Sequence, residues 1–238
     1  MLHLQIELDK LKRRILALGA LVEERVRLAI KAVETRDGDL AKTIIEADAE
    51  IDDMEIEVEE ECLKIIALHQ PVAVDLRFIS AVIKINNDLE RIGDEAVNIA
   101  ERVTNIARRP AMAVPFQFER MAEKTEKMLK SSLDALIKLD ADLAYKVCLM
   151  DDEVDDMNRD TYDRVKEAIK QSPDRVAYLV NLLFVSRHLE RIADHATNIA
   201  EDVIYMIEGV ISRHGRRADR SSSVLSTERA EGGRPSIP

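Results

Sequence analysis

Apolar residues recur along this chain with the period of a helix, not with the alternation of a strand. Ile44, Ile51, Val58 and Ile65 fall every seven residues, flanked by Ala47, Met54 and Leu68. Leu89, Ile92, Ala96, Ile99 and Val103 form a second seam. The scheme returns as Leu129, Leu133 and Leu136, then Val147, Val154 and Val165, then Leu189, Ile192, Ala196, Ile199 and Val203. Steps of three, four and seven place side chains on one face of an α-helix.

Breakers divide this pattern. Gly38, in Arg36-Asp-Gly-Asp39, ends a first helix of about 33 residues. Gln70-Pro71 and Ser172-Pro173 each split a long stretch into two arms. Proline suits the first turn of the following helix, and Ser172 suits its N-cap. Arg108-Arg-Pro-Ala-Met-Ala-Val-Pro115 has two prolines and no helical period, so it reads as a linker. The expected fold is all-α: two tandem antiparallel three-helix bundles related by an internal repeat, over residues 1–108 and 116–209. The linker spans 109–115, and a polar stretch at 210–238, with Ser221-Ser-Ser223 and Gly232-Gly-Arg-Pro235, reads as a disordered tail.

Composition agrees with a helical core. Hydrophobic residues make up 46% of the 238, but aromatics only 3% with no Trp, so the core is aliphatic. A net charge of −11 argues against nucleic-acid binding, which needs clustered Lys and Arg. Cys62 and Cys148 lie in apolar helical runs at unmatched repeat positions and read as two buried thiols. No signal peptide opens the chain and no run approaches a membrane span, which predicts a cytoplasmic protein.

The repeat is also literal. Leu89-Glu-Arg-Ile-Gly-Asp-Glu-Ala-Val-Asn-Ile-Ala-Glu101 and Leu189-Glu-Arg-Ile-Ala-Asp-His-Ala-Thr-Asn-Ile-Ala-Glu201 agree at ten of thirteen positions. Both copies carry Glu, Asp and Asn at steps of four: Glu90, Asp94 and Asn98, then Glu190, Asp194 and Asn198. A second acidic element precedes each turn. Asp48-Ala-Glu-Ile-Asp52-Asp-Met54 corresponds to Asp151-Asp-Glu-Val-Asp155-Asp-Met157. Folding the first hairpin at Pro71 brings Asp52 level with Glu90 and Asp48 level with Asp94, about 28 Å from the turn for the first of these pairs. Folding the second at Ser172–Pro173 does the same for Asp155 with Glu190 and Asp151 with Asp194. Helical geometry sets all of them on the flank of the core seam, on the outer rim of each bundle.

Like charges on adjacent turns repel, and four carboxylates across a hairpin need a compensating cation. Oxygen-rich ligation suits Mg²⁺, Mn²⁺, Ca²⁺ or iron, with Zn²⁺ also compatible. The expected metal ligands are Asp48, Asp52, Glu90 and Asp94 in the first half and Asp151, Asp155, Glu190 and Asp194 in the second. Asn98 and Asn198 are candidates either as neutral ligands or for ordering the carboxylates. His188 and His195 lie on another face, aligned with Asp88 and Glu95 of the first repeat, and read as surface or packing groups rather than ligands.

These motifs resemble the PhoU family of phosphate-signalling regulators. The two Glu-x-x-x-Asp elements match that family's repeated metal motif, the Asp-x-x-x-Asp elements extend it, and Gln70-Pro-Val-Ala-Val-Asp-Leu-Arg77 resembles a characteristic family stretch. The resemblance covers about residues 1–209; Gln171-Ser-Pro-Asp-Arg175 departs from the Gln-Pro-Val-Ala form. It implies a cytoplasmic, non-enzymatic negative regulator of phosphate uptake and of the phosphate-starvation response. Such a protein is a metal-binding adaptor between a phosphate ABC transporter, at its ATPase subunit, and a membrane sensor histidine kinase, and is often a homodimer. The alternative is a metal-dependent enzyme, either a carboxylate-bridged oxidase or a phosphohydrolase. It lacks support here: the chain has no Glu-x-x-His, no activated nucleophile and no phosphate-cradling glycine loop.

Overall fold

The apolar seams assemble into helices as their period requires. The computed structural model describes residues 2–110 and 116–209. In the first half these are α1 (Leu2–Thr35), α2 (Gly38–Glu46), α3 (Ala49–His69) and α4 (Ala73–Ala107). In the second half they are α5 (Phe118–Lys138), α6 (Ala141–Gln171), a 3-10 turn (Pro173–Arg175) and α7 (Val176–Glu208). The expected linker falls partly, and the expected tail wholly, outside the described residues.

Each half packs three helical rods against one another. In the first, α1 contacts both α3 and α4; in the second, α5 contacts both α6 and α7. The most extensive contact of all joins α4 to α7, so the two bundles share one core along their last helices. Every seam residue from Leu89 to Val103 and from Leu189 to Val203 is fully buried, as are Ile44, Ile51, Val58 and Ile65. Cys62 and Cys148 are both buried, and burial pushes the Cys62 thiol up to about 12.

The repeat is complementary as well as similar. Gly93 lies against Ile51, and a Cβ added there would come 3.0 Å from Ile51 Cδ1. At the equivalent place the second half has Ala193 and Val154, both buried. A larger helix residue in one arm is matched by a smaller one in the other, which conserves core volume at both sites.

Three local expectations are corrected. Gly38 opens α2 rather than ending α1, because Asp37 caps it by accepting hydrogen bonds from the amides of Asp39 (3.0 Å) and Leu40 (2.9 Å). The arm from Gly38 to His69 is not one helix. Its backbone tightens at Ala47 and Asp48, whose amides reach Ile44 and Ile45 carbonyls three residues back (3.3 and 3.5 Å). No Gly or Pro marks that break. Ser172 makes no side-chain cap; it leads into the short 3-10 turn instead, its carbonyl accepting from the Arg175 amide at 3.0 Å.

Candidate metal centres

Two long antiparallel arms in each half set the level at which their side chains meet. In the first half Asn86 Nδ2 on α4 donates to the Glu55 carbonyl (2.9 Å) and to Glu55 Oε1 (3.1 Å) on α3. In the second, Ser186 Oγ on α7 donates to Asn158 Oδ1 on α6 at 2.8 Å. Asn86 and Ser186 are equivalent in the repeat, and so are Glu55 and Asn158. Stepping one and two turns along from these rungs brings Asp52 level with Glu90 and Asp48 with Asp94, then Asp155 with Glu190 and Asp151 with Asp194.

The electrostatics of the eight carboxylates follow from that register. Asp48, Glu90, Asp151, Asp155 and Glu190 are half-buried, whereas Asp52, Asp94 and Asp194 are more exposed, though the neighbouring helix still partly encloses the carboxylates of Asp94 and Asp194. Burial raises Asp48 above the ordinary carboxylate range, and the charges of Asp52 and Asp94 add to it. Burial likewise raises Glu90, with Asp94, Asp52 and Glu55 contributing, and raises Asp94, with Asp52 and Glu95 contributing. Glu190 is raised by burial, then by Asp194, Asp155 and Asp151. Asp194 is pushed up to about 6 by burial and by the charges of Asp151 and Asp155. Each half thus gathers acids from both arms, whose charges oppose the ionisation of Asp48, Glu90 and Asp94 in the first and of Glu190 and Asp194 in the second.

The side-chain arrangement is open. Among the described residues, no three His, Cys, Asp or Glu side chains form a group able to hold a metal ion as they stand. The donor set itself fits a hard cation: oxygen ligands only, incompletely neutralised, with three of the carboxylates exposed and free to change rotamer. Convergence on an ion would therefore be a matter of side-chain rotation on fixed helices.

Neighbouring cations temper the repulsion without removing it. Arg91, on the same turn as Glu90, favours ionisation of Glu90 and Asp94, and its Nε donates to Asn87 Oδ1 at 3.1 Å. Arg25 on α1 acts on Asp48 and pairs with Glu50 at 2.7 Å. Thr197 Oγ1 donates to Asp151 Oδ1 at 3.1 Å. Of the two asparagines expected beside the stripe, Asn198 Nδ2 instead donates to Asp88 Oδ1 across the bundle interface at 3.2 Å, and Asn98 is half-buried.

The histidines join the halves. His188 Nδ1 lies 2.6 Å from Glu95 Oε2 and His195 Nδ1 lies 2.8 Å from Asp88 Oδ1. Arg191 Nη1 adds a 2.9 Å contact to Glu95 Oε1. Exchanging the two repeats maps each acid–histidine pair onto the other. Glu95 is almost wholly buried, so this pair is part of the core joining α4 to α7. Sequence reasoning missed the pairing, yet a signal was present: where one repeat has an acid at positions 88 and 95, the other has histidine at 188 and 195.

The raised pKa of Asp194 makes a pH prediction. Its ordinary value is 3.8 and its folded value about 6, so between these the folded chain binds more protons than the unfolded one. This contribution to stability is complete below 3.8 and is lost as pH rises through about 6. In chelator-treated protein, Asp194→Asn should therefore melt higher than wild type at pH 7, with the advantage shrinking as pH falls below 6. Thermal melts across that range check it.

The chain matches the family model of the PhoU domain twice, over residues 15–103 and 118–203. It is 36% identical over 204 residues to a protein of Clostridium acetobutylicum, covering 85% of this chain and 93% of that one. It is 38% identical over 208 residues to one of Aquifex aeolicus, covering 87% and 94%. Both relatives are described as phosphate-specific transport system accessory protein PhoU homologues. The crystal structure of PhoU from Pseudomonas aeruginosa superposes with a TM-score of 0.83 at 36% identity, covering 87% of this chain and 99% of that one.

Proposed function

The chain belongs to the PhoU family, and from that premise we propose that it is a metal-dependent adaptor of a phosphate-specific transport system. It acts with that system as an accessory protein and not as an enzyme, in keeping with its relatives. Its finer role is negative regulation of phosphate uptake and of the phosphate-starvation response, exerted by docking on the transporter's ATPase subunit and on a sensor histidine kinase in the cytoplasm. No helix among the described residues is long and apolar enough to cross a membrane, so contact with membrane proteins would be peripheral. Homodimers are the expected assembly.

The observation that carries this reading is the duplicated carboxylate cluster on the flank of each bundle. Asp48, Asp52, Glu90 and Asp94, with their counterparts Asp151, Asp155, Glu190 and Asp194, would hold one or more iron, zinc, manganese or magnesium ions. A bound cation would supply the positive charge that Arg25, Arg91 and Arg191 leave incomplete. Occupancy would then switch the flank from a repulsive acidic surface to one that a partner can approach. Pulldown of transporter ATPase and kinase by wild type, with and without chelator, and by Asp94→Lys/Asp194→Lys tests this. Binding should change by tenfold or more with helicity intact; equal capture in every condition would contradict it.

A further inference from the structure

The hairpin tip of the first half is apolar, whereas that of the second is polar. Leu68, Val72, Val74 and Leu76 surround the Gln70–Pro71 turn and are 67%, 73%, 62% and 44% exposed. Ile56 and Leu63 continue this surface along α3. Among the described residues of the equivalent stretch, 159–176, only Tyr162 and Val176 are large, apolar and exposed. At the tip Gln70 (φ 46°) and Ala73 (φ 49°) both lie in the left-handed region, with Pro71 buried between them. A turn that presents this much apolar surface calls for a cover.

Acidic groups border the surface. Glu60 shares the outer face of α3 with Ile56 and Leu63, at steps of four and three, and Glu59 and Glu60 are both exposed. Asp75 sits at the tip itself. The cover should therefore combine apolar residues with positive charge.

One segment of this chain has that chemistry and starts at the right place. Helix α7 ends at Gly209 (φ 72°), whose amide donates to the Tyr205 carbonyl at 2.9 Å. A Cβ on Gly209 would lie 2.0 Å from Arg77 Nη1, so the guanidinium of Arg77 rests against this glycine. Arg77 is one helical turn from Val74, on the same face of α4. The chain thus leaves the bundle beside the apolar tip. The following residues, 210–238, hold six arginines (Arg213, Arg216, Arg217, Arg220, Arg229 and Arg234) against three acids, and also Val210, Ile211, Val224 and Leu225. The other 209 residues hold 29 basic and 43 acidic side chains. Ten extended residues span about 33 Å, more than the roughly 18 Å of helix from Ile56 to Leu68.

We propose that residues 210–238 dock in cis on the tip formed by Leu68, Val72, Val74 and Leu76, arginines against the bordering acids and apolar residues on the exposed valines and leucines. The test uses the full chain with a nitroxide on Ser222→Cys; Cys62 and Cys148 are buried and leave the new thiol to react. Methyl signals of Val72, Val74 and Leu76 should lose at least half their intensity relative to Val176 at the other tip. Arg216→Glu/Arg217→Glu/Arg220→Glu in the same labelled chain should restore them. Equal effects at both tips, or loss that survives charge reversal, would overturn the proposal. So would loss that appears only when labelled and unlabelled chains are mixed, which would assign the surface to a second copy.

Discussion

Replacing His188 and Arg191 together with alanine should destabilise the protein by about 3 kcal/mol, near the lower end of the cost of leaving a buried charge alone. Glu95 has only 3% of its side chain exposed, and the His188 ring and the Arg191 guanidinium are its polar neighbours at 2.6 and 2.9 Å. Removing both leaves a carboxylate in the core between α4 and α7 with little water to solvate it. The partly exposed position of Arg191 is the reason to expect the lower end, since water can enter the space it vacates. Glu95→Gln in the double variant should recover much of the loss, because it removes the stranded charge while keeping the shape. Urea unfolding at pH 7 measures both. A loss below 1 kcal/mol would mean that the acid–histidine pairs are incidental to the junction of the two bundles.

The second large effect concerns cations. A ligand that binds only the folded state adds about 2.7 kcal/mol per site at a hundred times its dissociation constant. Two clusters would together contribute roughly 5 kcal/mol, and a chain of this size gains about 2–4 °C per kcal/mol. Chelator-treated protein should therefore melt about 10–20 °C higher once manganese or iron is restored at saturating concentration. The physical source is relief of the burial and mutual repulsion that together disfavour the charged forms of Asp48, Glu90, Asp94, Glu190 and Asp194. Asp94→Asn/Asp194→Asn should melt higher than wild type without metal and gain little from it. An equal response of wild type and variant would remove the clusters from the explanation.

Much of the architecture could be read from residue order because it depends on periods and breaks. The heptad spacing of Ile44, Ile51, Val58 and Ile65 and the duplicated Leu89 and Leu189 runs carry the buried seams directly. The register of the carboxylates was legible for a similar reason: hairpins closing at Pro71 and Pro173 leave little freedom in which residues meet. The Glu55–Asn86 and Asn158–Ser186 hydrogen bonds fall on that register.

Features that depend on packing between distant segments were not legible. The break at Ala47 has no glycine or proline to announce it. Leu68, assigned to the flank of a seam, is two-thirds exposed because the helix ends beside it and its face meets no neighbouring arm. The exchange of acid for histidine between the repeats hints at the Glu95–His188 and Asp88–His195 pairs, but reading them also needs the antiparallel crossing of α4 and α7, which residue order does not give. The open arrangement of the carboxylates is equally invisible to sequence, since residue spacing fixes the backbone level of a side chain but not its rotamer.

Elemental analysis of gently purified protein tests the central claim most directly: that each half holds cations between its two acidic arms. Wild type, Asp52→Asn/Asp94→Asn, Asp155→Asn/Asp194→Asn and the combined variant should be compared at equal helicity. Wild type should carry stoichiometric metal, each double variant should lose the share of its own half, and the combined variant should carry none. Wild type without metal above the buffer level, or a combined variant that retains the full complement, would contradict it.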